Sequence, residues 1–207
     1  ERPGVLVAGS LAPVADCWRP DLAPPRPEAE RLHALHAEAL AEAGVDLLLL
    51  ETFGTAGEWR EAARAAARTG LPVVACATTG ADGALLSGEP LGDAARALLD
   101  LPSPPEVLGV NCVPARRLGA SLALLAAAAP GLPLAAYGNT GLPLDEAAGS
   151  FAEPIDPAAY AGEALRWVAL GARLVGGCCG TSAAHVAALA ARLRREPPAP
   201  RTPSASL

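Results

Sequence analysis

Short apolar segments alternate with longer, Ala-rich amphipathic segments along nearly the whole chain, and this alternation limits the possible folds. It predicts parallel strands, each followed by a helix that packs on the sheet. The predicted strands span residues 5–9, 45–50, 72–77, 107–111, 134–137 and 173–176. The predicted helices span residues 27–43, 56–69, 90–101, 115–129, 157–170 and about 182–195. Six strand-then-helix units therefore follow one another.

Two architectures fit such a succession: an open doubly wound sheet and a (β/α)8 TIM-type barrel. The barrel is favoured because each unit takes roughly 30 residues, which is close to one eighth of a typical barrel. The chain contains no methionine. We therefore expect a fragment with about six of the eight units, lacking the first two, in which residues 1–195 form one partial barrel domain. The Pro- and Ser-rich residues 196–207 are expected to be a disordered tail.

Composition and charge exclude several classes of protein. Apolar residues make up 51% of the 207-residue chain, which is enough for a large core, so a disordered protein is excluded. The net charge of −6 would repel phosphate backbones and argues against nucleic-acid binding. Residues 119–138 carry no charge, but Pro130, Gly131 and Pro133 interrupt them, so no membrane span is expected. No signal peptide is visible in the chain. We predict a cytoplasmic protein that acts on small molecules and that can form oligomers.

Three of the five cysteines follow predicted strands, where parallel α/β folds form their sites. Cys112 follows the fourth strand, and Cys178 and Cys179 follow the sixth, just before a helix that Thr181 is expected to cap. A helix N-terminus favours thiolates, and three thiolates with one open position are typical of a catalytic zinc. The spacing leaves two alternatives open: buried reduced thiols, or a dithiol redox pair formed by the two adjacent cysteines.

Glu51 closes a run of four leucines, so its carboxylate must be paired or face a cavity. It would either form an ion pair with an arginine of a loop or bind a substrate ammonium group. His33, His36 and His185 fall on predicted outer helices, and we expect them to be solvated. The chain has no phosphate-binding Gly-rich loop and no G-x-S-x-G motif, so nucleotide binding and serine hydrolase chemistry lack support.

The segment at 175–181, Val-Gly-Gly-Cys-Cys-Gly-Thr, resembles the C-terminal signature of the homocysteine S-methyltransferase family. Gly-Val-Asn-Cys at 109–112 resembles its middle signature, and the segments at 49–52 and 8–11 are similar to family segments in the same order. The resemblance covers nearly the whole chain. It implies a zinc-containing (β/α)8 barrel that methylates homocysteine to methionine.

The resemblance implies that Cys112, Cys178 and Cys179 bind Zn²⁺, that Glu51 holds the amino group of homocysteine, and that Asn139 belongs to the substrate site. This sequence departs from the family at three positions of these loops, Ala12, Gly138 and Thr140. It also lacks the Asp-Gly-Gly-type segment that the family carries on its first strand. Because that segment contributes to the homocysteine site in the family, we expect the fragment to lack part of the substrate site.

Zinc would activate the homocysteine thiol without a general base. Because only Phe53 and Tyr137 are expected near the rim, too few aromatics are present to cage a quaternary ammonium. S-methylmethionine or another activated methyl compound is therefore the favoured methyl donor. The alternative is a non-catalytic zinc-binding remnant of the family, because the N-terminal part of the barrel is missing.

Overall fold

Six parallel strands form the sheet of the protein, which we describe from a computed structural model covering residues 4–145, 150–152 and 154–195. The predicted tail at 196–207 lies outside these residues. The strands of this sheet are β1 (Ala8–Leu11), β2 (Leu47–Phe53), β3 (Val73–Ala77), β4 (Val107–Pro114), β5 (Leu134–Asn139) and β8 (Ala172–Gly177). A short antiparallel pair, β6 (Leu142–Asp145) and β7 (Ser150–Ala152), lies between β5 and the next helix and was not predicted.

One helix follows each strand of the sheet, as the sequence predicted. The helices are α1 (Arg26–Glu42), α2 (Ala56–Ala67), α3 (Leu91–Leu99), α4 (Ala115–Ala128), α5 (Pro157–Ala169) and α6 (Ala183–Arg195). Side-chain caps start two of them: Thr55 accepts from the backbone N–H of Glu58 at α2, and Asp156 accepts from two N–H groups at α5. The sequence-based boundaries agree with these bounds to within a few residues.

The order of the strands separates the two architectures that the sequence left open. Strands β1, β2, β3, β4, β5 and β8 lie side by side in chain order, all parallel. A doubly wound sheet would reverse its strand order at a switch point, and none occurs in this sheet. The prediction of a partial TIM-type barrel with six βα units is confirmed.

The sheet has two faces of different character. Its outer face packs against the helices and forms the main core, in which leucines of the strands meet the fully buried indole rings of Trp59 and Trp167. Its inner face, which would line the barrel, has a small separate cluster. The buried members are Val74, Cys76 and Ala135, with Leu47, Leu49, Val107 and Tyr137 partly buried around them.

Two of the three histidine predictions are wrong. His33 is 1% exposed, and its Nε2 lies 3.1 Å from Oε1 of the buried Glu58. It lies between Ala29 and Ala37 on the buried stripe of α1, a spacing of four residues that the sequence carries. His185 is also buried, and its Nε2 lies 3.1 Å from the carbonyl oxygen of Ile155. His36 is exposed, as predicted.

The uncharged stretch at 119–138 folds as most of α4, a turn and strand β5. A search of the described helices finds none with the length and apolar character that crossing a bilayer requires.

Candidate metal and substrate site

Three thiols from two distant segments meet at the carboxyl end of the sheet. Cys112 lies near the end of β4, and Cys178 and Cys179 form the turn after β8. Their sulfur atoms all lie within 4.8 Å of one another. The Sγ atoms of Cys112 and Cys179 are 3.5 Å apart, and those of Cys178 and Cys179 are 3.9 Å apart. All three are free thiols.

These distances fit a metal with tetrahedral thiolate ligands. A Zn–S bond near 2.3 Å places two sulfurs of one tetrahedron about 3.8 Å apart. The Sγ separations of 3.5 Å for Cys112 and Cys179 and of 3.9 Å for Cys178 and Cys179 lie on either side of that value. Three sulfurs leave one of four positions for another ligand. The cluster therefore fits a soft divalent metal with an open position.

The three thiols differ in acidity. A hydrogen bond from the Cys112 thiol lowers the pKa of Cys178 to about 6, although burial opposes this shift. The same hydrogen bond raises the pKa of Cys112, and burial adds to the rise. Burial and the nearby Cys178 sulfur raise the pKa of Cys179. Cys178 is thus the first of the three to become a thiolate, the form that binds metal.

Backbone hydrogen bonds to β5 and to the residue after it hold the turn that carries the two adjacent cysteines. The N–H of Cys178 donates to the Gly138 carbonyl at 2.9 Å, and the N–H of Thr140 donates to the Cys179 carbonyl at 3.1 Å. The Thr181 hydroxyl donates to the Cys178 carbonyl at 2.6 Å. Thr181 was predicted to cap α6, but α6 begins only at Ala183. The Thr181 hydroxyl instead closes the turn that carries the two cysteines.

A tyrosine from the outer layer of helices forms hydrogen bonds with the two strands that lead to this turn. The hydroxyl of Tyr160, on α5, lies 2.8 Å from the Gly138 carbonyl oxygen and 2.9 Å from that of Gly176. Its ring is fully buried and packs edge-on against Trp167 and His185. Tyr160 therefore joins β5 and β8 directly before the cysteine turn. Its position in a helix gave no sequence signal for this role.

Asn139, which the family resemblance assigned to the substrate site, holds the backbone of Cys112. The Nδ2 group of Asn139 donates to the Cys112 carbonyl at 3.0 Å, and the side chain is 2% exposed. The Oδ1 atom of Asn139 is buried and has no hydrogen-bond partner among the described residues. Asn139 therefore lies against the backbone of Cys112, and its buried Oδ1 is an acceptor without a partner among the described residues.

Glu51 lies on the inner face at the end of β2, and its carboxylate is bound by two hydroxyls. Ser10 donates to Oε1 at 2.5 Å, and Tyr137 donates to Oε2 at 3.3 Å. None of the ion pairs in the described part of the chain includes Glu51, so the alternative of a loop arginine partner is not seen. Ser10 and Tyr137 both follow or end predicted strands, but the sequence assigned no role to either as a partner of Glu51.

The sequence matches a known family over most of its length. The profile of the homocysteine S-methyltransferase family matches residues 1–193. A homocysteine S-methyltransferase of Escherichia coli (strain K12) is 35% identical over 198 residues, which are 91% of this chain and 63% of that protein. A second, named YbgG, from Bacillus subtilis (strain 168), is 28% identical and is likewise covered to 63%. The chain spans less than two thirds of both relatives.

Solved structures give the same result. The metallated form of the homocysteine methyltransferase MmuM from Escherichia coli matches with a TM-score of 0.74 at 31% identity, covering 91% of this chain and 61% of that one. A further solved structure, from Burkholderia cenocepacia, is 17% identical with a TM-score of 0.56 and shares the fold alone. The chain belongs to the homocysteine S-methyltransferase family.

Proposed function

We propose that this chain carries the zinc and homocysteine site of a methyltransferase that converts homocysteine to methionine. The observation that carries the proposal is the meeting of three thiols within 4.8 Å at the carboxyl end of the sheet. The similar MmuM was solved in a metallated form, which supports the proposal that this chain also binds a metal. Cys112, Cys178 and Cys179 would hold the ion, and a bound zinc would make the homocysteine thiol nucleophilic at neutral pH.

Glu51 would bind the amino group of homocysteine. An ionised carboxylate offers about four acceptor positions, and the hydroxyls of Ser10 and Tyr137 use two of them. The remaining positions suit an ammonium group, and the two hydroxyls would hold the carboxylate in place for it. The free Oδ1 of Asn139 is a second acceptor for the substrate near the thiol cluster.

Methyl transfer needs no base from the chain. The substrate sulfur forms a bond to the methyl carbon while the bond from that carbon to the donor breaks, and the bonding pair stays on the donor. The thiol proton leaves to solvent when the sulfur is deprotonated. With S-methylmethionine as donor, one sulfonium and one homocysteine give two molecules of methionine.

A sulfonium donor suits this site better than a quaternary ammonium. Phe53, one of two aromatics expected at the rim, is fully buried, with its ring 5.6 Å from that of His33. Tyr137 is bound to Glu51. A buried Phe53 cannot contact the donor, and the single ring of Tyr137 is too little for the aromatic cage that a quaternary ammonium prefers. S-methylmethionine is therefore the donor that we propose to test first.

Zinc content and methyl transfer, measured together, test the proposal. The purified chain should hold about one zinc ion, determined by mass spectrometry of the metal. It should also form methionine from S-methylmethionine and homocysteine labelled in its carbon chain, which separates this product from the methionine that the donor leaves. The Cys112→Ser variant should lose both properties. The matched control is Cys17→Ser, because Cys17 lies in the loop after β1, outside the cluster.

The outcomes separate the two interpretations of the chain. Zinc and turnover that are both lost in Cys112→Ser but kept in Cys17→Ser support the enzyme. Zinc without turnover supports a non-catalytic zinc-binding member of the family. A folded chain without zinc contradicts both.

A further inference from the structure

Two residues near the site have a strained backbone, and one side chain joins the segments that carry them. Thr52 has a φ of +65° and Cys112 a φ of +54°, and no other described residue except glycine has a positive φ. A left-handed conformation is a true outlier for a β-branched residue such as threonine. Such strain persists only where surrounding contacts hold it, and it is concentrated at functional sites.

The Asn111 side chain supplies these contacts for Thr52. Its Oδ1 accepts from the backbone N–H of Thr52 at 2.8 Å, and its Nδ2 donates to the Thr52 hydroxyl, also at 2.8 Å. Asn111 is fully buried, so water does not compete for these two bonds. We call this reciprocal pair of hydrogen bonds the amide clip.

The amide clip connects strands that are not neighbours in the sheet. Asn111 is on β4 and Thr52 is on β2, with β3 between them. The strand register shifts at both positions, between Leu50 and Phe53 on β2 and between Asn111 and Pro114 on β4. Each strand therefore leaves regular pairing at the point where the clip holds it.

The clip fixes two groups that would bind opposite ends of one substrate. Glu51 directly precedes Thr52, and Cys112 directly follows Asn111. In the proposed function, Glu51 binds the amino group of the amino acid, and the cluster containing Cys112 receives its sulfur. The distance between those two groups must match the number of carbons between nitrogen and sulfur.

We infer that Asn111 is a positioning residue that sets the length of the thiol amino acid accepted by this site. The inference rests on the proposed function. The amide clip holds Thr52 in its left-handed conformation and ties it to the residue before Cys112, and it would thereby fix the span between Glu51 and the thiol cluster. Cysteine, which has one methylene fewer, would not span both groups as well and should bind less tightly.

Binding of homocysteine and of cysteine to the zinc-loaded chain, measured by isothermal titration calorimetry, tests this inference. The wild-type chain should prefer homocysteine by roughly 10- to 200-fold, the range for one methylene. Thr52→Val removes the hydroxyl and keeps the side-chain shape, and Asn111→Ala removes both bonds. Both variants should lower the preference by about tenfold. Thr52→Ser keeps both bonds, and its preference should equal that of the wild type.

The ratio of the two affinities distinguishes positioning from a structural role. A variant that is only less stable loses folded protein equally for both ligands, so its preference does not change. Zinc content measured beside each titration corrects for lost metal. If Asn111→Ala does not fold, Thr52→Val alone decides the test. An unchanged preference in folded Thr52→Val overturns the inference and leaves the proposed function intact, whereas wild-type protein that does not bind homocysteine overturns both.

Discussion

The two faces of the sheet are built from the same strands but differ in how far their side chains are buried. On the outer face, Leu48, Leu50 and Leu108 are completely buried under the helices. On the inner face, Leu49 and Val107 alternate with them and remain partly accessible. The outer face therefore carries most of the buried apolar area, and hence most of the stability. The inner face also carries the polar side chains of Glu51, Tyr137 and Asn111.

This division lets the inner face hold groups that a core would not tolerate. Polar partners or a ligand are needed by Glu51, by the amide clip and by the three thiols. The left-handed backbone of Thr52 and Cys112 is also strained. The well-packed outer layer supplies the stability that these features lower. Substitutions on the two faces should therefore separate stability from site chemistry.

The largest difference in stability is expected between two adjacent leucines of β2. Leu50→Ala leaves a cavity in the closed outer core, and it should lower the free energy of unfolding by about 3–5 kcal/mol. Leu49→Ala removes the same atoms from the inner face, where water can fill the space. It should lower that free energy by only about 1–2 kcal/mol. Urea denaturation of both variants measures the difference, and equal losses would show that the two faces contribute alike.

The next effect concerns a glycine on the inner face of β4. A Cβ atom at Gly109 would lie 2.5 Å from the sulfur of Cys76 and 2.6 Å from the carbonyl oxygen of Ala135. The oxygen belongs to the backbone of β5 and cannot turn away. Gly109→Ala should therefore lower the free energy of unfolding by about 1–3 kcal/mol, through overpacking.

A glycine on the outer layer of helices provides the matched control for Gly109. A Cβ atom at Gly162, on α5, meets no heavy atom within 4 Å. Gly162→Ala should stabilise the chain by about 0.5–1 kcal/mol, because alanine favours the helix. Thermal unfolding of the two variants should give shifts of opposite sign. A stable Gly109→Ala variant would mean that the inner face is less tightly packed than these distances indicate.

The alternating pattern of the sequence predicts the outer face better than the inner one. Apolar runs such as 47–50 predict strands, and the family signatures predict which cysteines meet. The side-chain partners could not be predicted in this way. The hydroxyls that bind Glu51 come from β1 and β5, and the amide clip joins residues 59 positions apart. Such contacts depend on register and on local bulges, which leave no period in the sequence.

Two tyrosine hydroxyls, one from each face, give the smallest and most specific comparison. Tyr160→Phe removes the hydroxyl that joins the Gly138 and Gly176 carbonyls, and it should lower the free energy of unfolding by about 1–2 kcal/mol. Tyr137→Phe removes a 3.3 Å hydrogen bond to a carboxylate that Ser10 still binds, and its effect should stay below about 0.5 kcal/mol.

Zinc release and homocysteine affinity should each respond to only one of the two tyrosines. The Tyr160 hydroxyl joins β5 and β8 directly before the cysteine turn. Tyr160→Phe should therefore speed the transfer of zinc to a chelator by about tenfold, as expected when a residue that supports the metal ligands is lost. Tyr137→Phe should leave zinc release unchanged. It should weaken homocysteine binding, because the Glu51 carboxylate loses one of the two hydroxyls that hold it in place. If both variants release zinc at the wild-type rate, neither hydroxyl helps the thiol cluster to retain the ion. The outer layer would then stabilise the fold without tuning the site.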